Sequence, residues 1–233
     1  MSNAIALVTG VGPGTGLSIA RRFAKGGYKV AMVARNQERL GSYEAEIPGS
    51  RAFAVDVTDT EKFGAVLNKI DAEFGVPEVV VHNAYGGVIG NFLTIDPAAL
   101  DRNFKTNVMA LLQVARHIAP KMIEAGRGTI ITSGNTSALR GKANFAGFAP
   151  TKAAQRILAE SIARELGPKG VHVAYLVIDA VIDLEWTRAY RPNEPDDFFI
   201  QPDDIADEIW HLAHQSKSAW SFNAEIRPFK ESW

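Results

Sequence analysis

The chain has no cysteine, no excess of basic residues and no long apolar run. Without cysteine it forms no disulfide and has no thiolate for catalysis or metal binding. Its 25 Lys and Arg residues are balanced by 26 Asp and Glu, so nucleic acid is not an expected partner. No apolar stretch approaches the roughly eighteen residues of a membrane helix, and no charged leader precedes the first apolar run. We therefore expect a cytoplasmic protein without a membrane partner.

Metal-binding patterns are also scarce. The five histidines show no H-E-x-x-H spacing. His211 and His214 are three residues apart on a predicted helix, but no third ligand lies near them in the sequence. We predict no metal site.

Short apolar runs alternate with helical patterns along the chain. Runs that are apolar throughout indicate parallel strands covered on both faces, and they occur at "AIALVTG", "KVAMVAR", "RAFAV", "EVVVHNA", "GTIITSG", "VHVAYLVI" and "SFNAEI". The clearest helix is "PTKAAQRILAESIARELGPKG", which carries an apolar stripe at helical spacing and ends at Gly167 and Pro168. Since no Gly-, Pro- or Ser-rich linker divides the chain, we predict one domain over residues 1–233 with a doubly wound α/β sheet.

The stretch "LEWTRAYRPNEPDDFF", residues 184–199, interrupts this regularity. It is rich in Pro and Asp yet contains Trp186, Phe198 and Phe199. A loop of this length inside a compact domain is usually functional, so we predict a substrate lid at about residues 184–200, with a tolerated insertion as the alternative. The aromatic side chains favour a small-molecule substrate that is hydrophobic or aromatic.

A glycine-rich stretch, "TGVGPGTG", lies between the first strand and the first helix. Glycines here allow a tight turn and let the backbone approach a pyrophosphate, which the helix dipole and free N–H groups stabilise. A flexible turn without a ligand is the alternative. We favour dinucleotide binding, and the cofactor-binding residues expected in this loop are Thr9, Gly10, Gly12, Gly14, Thr15 and Gly16.

The end of the second strand indicates which dinucleotide binds. An acid there would hydrogen-bond the ribose 2'-hydroxyl of NAD, but the chain has Ala34, Arg35 and Asn36. Because a guanidinium pairs with phosphate and stacks on adenine, Arg35 favours NADP, with NAD still possible. A solvated arginine at a strand end is the alternative.

Further motifs follow in order along the chain. Asp56 and Val57 come after the third strand, "HNAYG" places Asn83 and Ala84 after the fourth, and "TNVMALL" places Asn107 in a helix. With the T-G-x-x-x-G-x-G pattern of the glycine loop, these motifs make the chain resemble the classical short-chain dehydrogenase/reductase family over essentially its whole length.

This resemblance implies a seven-stranded Rossmann sheet with helices on both faces, NAD(P) binding, and hydride transfer on a carbonyl or an alcohol. It implies that Asp56 and Val57 contact the adenine. It also implies that Asn83 and Ala84 line the cofactor site and that Asn107 organises a catalytic water. By analogy we expect a homo-dimer or homo-tetramer, assembled through the helices that carry Asn107 and Lys152.

The chain departs from the family at the catalytic positions. The family has a tyrosine four residues before the catalytic lysine, and a serine thirteen before the tyrosine. Counting back from Lys152 places Phe148 at the tyrosine position and Asn135 at the serine position. In the family the lysine binds the nicotinamide ribose, a role we expect for Lys152 rather than that of a solvated helix lysine. A phenyl ring cannot donate the proton that the tyrosine supplies.

Other groups could take over this chemistry. The Asn135 amide could donate to a developing alkoxide or could bond its own backbone, and the nearby hydroxyls are Ser133, Thr136 and Ser137. Ile178 and Asp179 replace the family's Pro-Gly pair, and Asp183 replaces a threonine. A desolvated Asp179 could act as an acid, or its carboxylate could cap a turn.

The remaining proton donors are Tyr190 and a water ordered by Asn107 and Lys152. The candidate catalytic residues are therefore Asn107, Asn135, Phe148, Lys152 and Asp179.

Three functions fit the sequence. The first is an NADP(H)-dependent oxidoreductase that acts on a carbonyl or alcohol with a proton donor other than tyrosine. The second is a noncatalytic NADP(H)-binding sensor or partner subunit of the same fold. The third, a structural domain that binds no nucleotide, would require the glycine loop to be incidental.

Overall fold

The computed structural model describes residues 4–231 of the chain. Its strands are β1 (Ile5–Thr9), β2 (Lys29–Ala34), β3 (Ser50–Ala54), β4 (Val79–His82), β5 (Thr129–Asn135), β6 (His172–Ile178), β7 (Val181–Ile182), β8 (Phe199–Ile200) and β9 (Asn223–Ile226). Its α-helices are α1 (Thr15–Lys25), α2 (Gln37–Glu46), α3 (Thr60–Glu73), α4 (Pro97–Phe104), α5 (Ala110–Ala125), α6 (Ala149–Leu166), α7 (Glu185–Tyr190) and α8 (Pro202–Ala213). One π-helical segment, Lys105–Met109, joins α4 to α5.

Seven strands form one parallel sheet in the order β3-β2-β1-β4-β5-β6-β9. The chain winds outward from β1 to β3, returns to place β4 beside β1, and then winds in the opposite direction. This topology confirms the predicted Rossmann-type, doubly wound sheet, and each of its strands comes from one of the seven apolar runs. The strand order reverses between β1 and β4, and ligands of such sheets bind at the carboxyl ends of these strands.

Helices cover both faces of the sheet, as predicted. On one face Phe63 of α3 and Leu111 of α5 are buried against the strands. On the other face Phe23 of α1 and Ile205 of α8 are buried. Central strands enclosed in this way bury the side chains of both faces, which explains why their sequences are apolar throughout. No helix within residues 4–231 is both long enough and apolar enough to cross a membrane.

The segment of residues 184–200 contains more regular structure than the predicted loop. It includes α7 and β8, and β8 pairs with β7 in a parallel two-stranded sheet. The Thr187 hydroxyl accepts a hydrogen bond of 2.9 Å from the Leu184 backbone N–H and so satisfies a donor at the start of α7. The prediction of an irregular loop is therefore wrong. The hydrogen bond between Leu184 and Thr187 stabilises the short helix α7 within this Pro-rich stretch.

An ion-pair cluster fixes the same segment. Arg188 of α7 donates to both carboxylate oxygens of Asp183, at 2.7 and 2.8 Å, and to Asp196 at 2.5 Å. Gln201 also donates to Asp183, at 2.9 Å. These bonds hold the pKa of Asp183 down at about 2, chiefly through Arg188. Asp183 therefore acts as an ionised anchor for α7.

Gly134 of β5 lies where a side chain would collide with Tyr175 of β6. A Cβ atom at Gly134 would come 2.1 Å from the Tyr175 ring. We expect Gly134→Ala to lower the free energy of unfolding by about 1–3 kcal/mol, because Tyr175 is fully buried and the core cannot expand freely. Urea unfolding measures the loss. Gly141→Ala is the matched control, since a Cβ there meets nothing within 4 Å. Equal losses in the two variants would contradict the steric account.

Candidate functional site

The glycine loop is tightly packed except at one position. Gly10 has φ +74°, and a Cβ there would lie 2.5 Å from the Ala84 backbone. A Cβ at Gly16 would lie 2.4 Å from the Gly10 carbonyl oxygen. Gly12 is different, because a Cβ there would meet no atom within 4 Å. The loop therefore needs glycine for its own folding at Gly10 and Gly16, and it leaves open space at Gly12.

The N-terminus of α1 faces this loop with donors available. Gly14 precedes the helix without a side-chain cap. Within residues 4–231, the backbone N–H groups of Thr15 and Gly16 have no acceptor. Leu184 packs on the loop from the other side, with its Cδ2 2.3 Å from where a Gly14 Cβ would be. An anion bound at the start of α1 would accept hydrogen bonds from these free N–H groups and would be stabilised by the positive end of the helix dipole. The segment that carries α7 would cover it.

The residues that follow β2 and β3 also lie at the carboxyl edge of the sheet. Arg35 follows β2, is exposed, and forms no hydrogen bond or ion pair in the described part of the chain. Asn36 beside it caps α2 by accepting from the Arg39 N–H at 2.8 Å. Asp56 follows β3 and accepts from the Thr58 N–H and hydroxyl at 2.9 and 2.8 Å. Val57 is buried at 8% exposure. Arg35 is therefore free to bind a ligand, whereas Asp56 is already held in a turn.

Asn83 joins the glycine loop to the neighbouring strand. Its Nδ2 donates to the Gly10 carbonyl at 3.0 Å, and its Oδ1 accepts from the Ser133 hydroxyl at 2.9 Å. The Ser133 hydroxyl is therefore engaged with Asn83, which itself bonds the glycine loop. The same contacts connect the carboxyl ends of β1, β4 and β5.

The side chain of Asn107 is fully used inside the protein. It lies in the π-helical segment with no exposed surface. Its Oδ1 accepts from the Gly86 N–H at 2.9 Å, while its Nδ2 donates to the Gly86 carbonyl and the Thr151 hydroxyl, both at 2.8 Å. The Asn107 backbone carbonyl accepts from Gln155 at 2.8 Å. Asn107 therefore ties the loop after β4 to α6.

Lys152 is buried beneath these groups, with 2% of its surface exposed. Its ammonium donates to the Ser133 carbonyl at 3.1 Å and to Gln155 Oε1 at 2.5 Å. The alternative of a solvated helix lysine is therefore wrong. Burial lowers the pKa of Lys152 to about 7. Burial, with the nearby Lys152 charge, also lowers the pKa of His82 on β4 to about 3, so this imidazole is neutral.

Phe148 and Asn135 are the two residues that the sequence comparison places against the family's tyrosine and serine. Phe148 precedes α6, and its ring lies 3.0 Å from where a Gly87 Cβ would be. Asn135 ends β5, and its Oδ1 accepts from the Ser137 N–H at 3.1 Å. The Asn135 oxygen therefore bonds the backbone of its own loop, as one of the two alternatives for this residue predicted. The Asn135 Nδ2 has no partner within residues 4–231 and stays available as a donor.

Asp179 lies close to Asn135 across the sheet. Asn135 pairs with Ile178, so Asp179 follows one residue later on the adjacent strand. Its backbone N–H donates to Ile226 at 2.9 Å, whereas its half-buried carboxylate has no hydrogen-bond partner in the described residues. Tyr190 on α7 is 77% exposed. The structure thus brings Asn135 and Asp179 to the same sheet edge and leaves Tyr190 open to solvent.

A cavity of about 670 Å³ lies beside the start of α6, and its lining does not include Asn135, Phe148, Asp179 or Tyr190. Residues 137–146, which follow Asn135, form one wall, and Phe92 lies opposite on the loop after β4. Ala149, directly after Phe148, closes the cavity at the start of α6. In the described range no three His, Asp or Glu side chains gather as metal ligands would.

Sequence reasoning did not identify Gln155. The available signal was its position three residues after Lys152, which places both side chains on one face of a helix.

Known proteins share this architecture. The model of the short chain dehydrogenase family matches residues 4–193. L-xylulose reductase of Mesocricetus auratus is 33% identical over 222 residues, which cover 91% of this chain and 89% of that protein. A short-chain dehydrogenase from Rhodopseudomonas palustris is 33% identical, with a TM-score of 0.85, and covers 98% of this chain and 100% of its own. A metagenomic short-chain oxidoreductase in complex with NADP is 30% identical, with a TM-score of 0.85 and 98% coverage of both chains.

The family match spans most of the chain and contains the glycine loop, Asn107 and Lys152. The chain therefore belongs to the short-chain dehydrogenase family.

Proposed function

We propose that the protein is an NADP(H)-dependent oxidoreductase that transfers hydride between the cofactor and a carbonyl or alcohol. The observation that carries the proposal is the open space at Gly12, beside the uncapped N-terminus of α1 and at the same sheet edge as the buried Lys152. Reductase relatives and the NADP-bound neighbour support this activity.

The residues of the site fit this cofactor. The pyrophosphate would lie over Gly12 against the free N–H groups of α1. Arg35 would bind the 2'-phosphate of NADP, with NAD as a weaker alternative. Asp56 and Val57 would contact the adenine, and Asn83 and Ala84 the adjacent ribose side. Lys152 would bind the nicotinamide ribose with its remaining N–H. When bound, the cofactor supplies the hydride.

The proton must come from a residue other than 148. Phe148 and Asn135 stand where the family has its tyrosine and serine, and we infer that both hydroxyls are absent from this site. The free Asn135 Nδ2 would stabilise negative charge on the substrate oxygen. We prefer Asp179 as the donor because it follows the strand beside Asn135 and its carboxylate has no hydrogen-bond partner in the described residues. The Asn107 side chain and its backbone carbonyl already bond Gly86, Thr151 and Gln155, so we prefer Asp179 to a water ordered by Asn107 and Lys152.

The segment of residues 184–200 would act as the substrate lid of this single domain. Leu184 already touches the glycine loop, and Trp186 and Tyr190 expose 62% and 77% of their surface. These side chains favour a hydrophobic substrate that α7 covers. A dimer or tetramer would form through α6 and the π-helical segment that continues into α5. Met109 of that segment and Ile157 of α6 expose 51% and 57% of their surface.

The Phe148 side chain has no group that can donate a proton, and this favours a second function. If Asn135 and Asp179 do not take part in proton transfer, the site retains its cofactor residues but has no general acid. The protein would then be a noncatalytic NADP(H)-binding sensor or partner subunit.

Arg35→Ala should weaken NADPH binding about 10- to 100-fold and leave NADH binding nearly unchanged. A charge-assisted hydrogen bond to the 2'-phosphate contributes about 1.5–3 kcal/mol, and NADH has no such phosphate. Isothermal titration of both cofactors measures the change. Arg127→Ala is the control, because Arg127 is exposed and pairs with Glu78 at the opposite end of the sheet. Equal losses for NADPH and NADH in Arg35→Ala would refute the assignment.

The proposed activity predicts slow NADPH oxidation by the natural protein with carbonyl compounds. The test panel contains ketoses, aromatic ketones, aldehydes and quinones, assayed with the natural protein and with Phe148→Tyr. Tyrosine should raise the rate by about 10²- to 10⁴-fold, because it restores a positioned general acid. Asp179→Asn should lower the residual rate of the natural protein. If only Phe148→Tyr turns over substrate, the noncatalytic function is the correct one.

A further inference from the structure

The amine of Lys152 is held by a side chain of its own helix. Gln155 lies three residues further along α6 and has no exposed surface. Its Oε1 accepts from the Lys152 ammonium at 2.5 Å. Its Nε2 donates to the Asn107 backbone carbonyl at 2.8 Å, across to the π-helical segment. One amide thus uses its acceptor on Lys152 and its donor on Asn107, and this fixes its orientation.

The Tyr175 hydroxyl approaches the same amide from β6. It lies 3.4 Å from Gln155 Oε1 and 3.5 Å from the Lys152 carbonyl. The ring reaches this place only because Gly134 on β5 has no side chain. Burial raises the pKa of Tyr175, so its hydroxyl stays protonated and acts as a donor. The bottom of the site is therefore a closed set of neutral groups around one amine.

Four other elements contribute groups near Lys152. β4 contributes the neutral His82, β5 the Ser133 carbonyl, β6 Tyr175, and the π-helical segment Asn107. The positive charge of Arg156 on α6 acts on Tyr175. No carboxylate in residues 4–231 pairs with Lys152. The ammonium is thus stabilised by neutral acceptors alone.

We propose that Gln155 is a positioning residue of the site, whose neutral amide ties the Lys152 ammonium to Asn107 and governs where Lys152 directs its remaining N–H. The inference rests on the proposed function, since Lys152 is the residue that would bind the nicotinamide ribose. Two of its three N–H bonds are used by Ser133 and Gln155, which leaves one for a ligand.

A neutral acceptor has a different effect from a charged one at this position. A carboxylate at 155 would stabilise the ammonium strongly, because charges attract more in a buried site than in water. An apolar side chain would leave the ammonium with one acceptor fewer and favour the neutral amine. The neutral Gln155 amide is intermediate between these two cases. It accepts a hydrogen bond from Lys152 whether the amine is protonated or neutral, and so keeps the amine in one position. The protonation equilibrium of Lys152 is therefore a direct measure of what residue 155 does.

The test follows the protonation of Lys152 by NMR, using protein labelled with ¹³C-lysine and no cofactor. The Cε resonance is assigned by its loss in Lys152→Met and followed as the pH is varied. Gln155→Glu should raise the titration midpoint by about one to three pH units, and Gln155→Met should lower it. Because no turnover is needed, failure of this prediction is distinct from failure of cofactor binding, which the NADPH titration reports.

Gln113→Glu is the matched control. Gln113 lies on α5 and donates to the Thr60 carbonyl at 2.6 Å, away from α6. It introduces the same charge change and should leave the Lys152 midpoint in place. If Gln155→Glu does not fold, Gln155→Met decides the question. An unchanged midpoint in the folded variants at position 155, or an equal shift in Gln113→Glu, would overturn the proposal.

Discussion

The burial of one ammonium group is the constraint on which the site depends. Lys152 is almost completely removed from solvent and has no carboxylate partner within the described chain. Moving a charge into such a place is costly unless hydrogen bonds replace its hydration. Ser133 and Gln155 supply two of those bonds, at 3.1 and 2.5 Å. The surrounding chain is arranged to keep these two acceptors in position.

This arrangement extends from the lysine to the cofactor loop. Ser133 offers its carbonyl to Lys152 and its hydroxyl to Asn83. Asn83 in turn donates to Gly10 in the glycine loop. A chain of hydrogen bonds therefore connects α6, β5 and the loop after β1. A displacement of Lys152 would alter this chain of hydrogen bonds as far as the glycine loop. We therefore treat Lys152 and the loop as one site.

The sequence was sufficient for the sheet and for the glycine loop. The central strands of the seven-stranded sheet are buried on both faces, so their apolar runs were visible without any tertiary information. Lys152 could be located because its position in the predicted helix matches that of the family's catalytic lysine. Such local patterns can be recognised in a sequence, because the residues that form them are close together along the chain.

Gln155 and α7 could not be predicted in the same way. Gln155 matters because of Asn107, 48 residues earlier in the chain, and Tyr175, 20 residues later. A glutamine within a helix resembles any solvent-facing polar residue until those contacts are known. In α7, Pro and Asp residues near the helix suggested a loop, whereas the Thr187 cap and the Arg188 ion pairs stabilise it. Both features depend on partners that local propensity does not describe.

The most direct test of this account is the pH dependence of the unfolding free energy in the natural protein and in Lys152→Met. Burial lowers the pKa of Lys152 from 10.5 to about 7, so between these values the unfolded chain holds a proton that the folded protein has released. The unfolding free energy contributed by this group should therefore rise with pH, by about 1.4 kcal/mol per unit, and level off below about pH 7. Lys152→Met should lack this rise. Parallel pH profiles for the two proteins between pH 7 and 10 would contradict a buried lysine at the centre of the site.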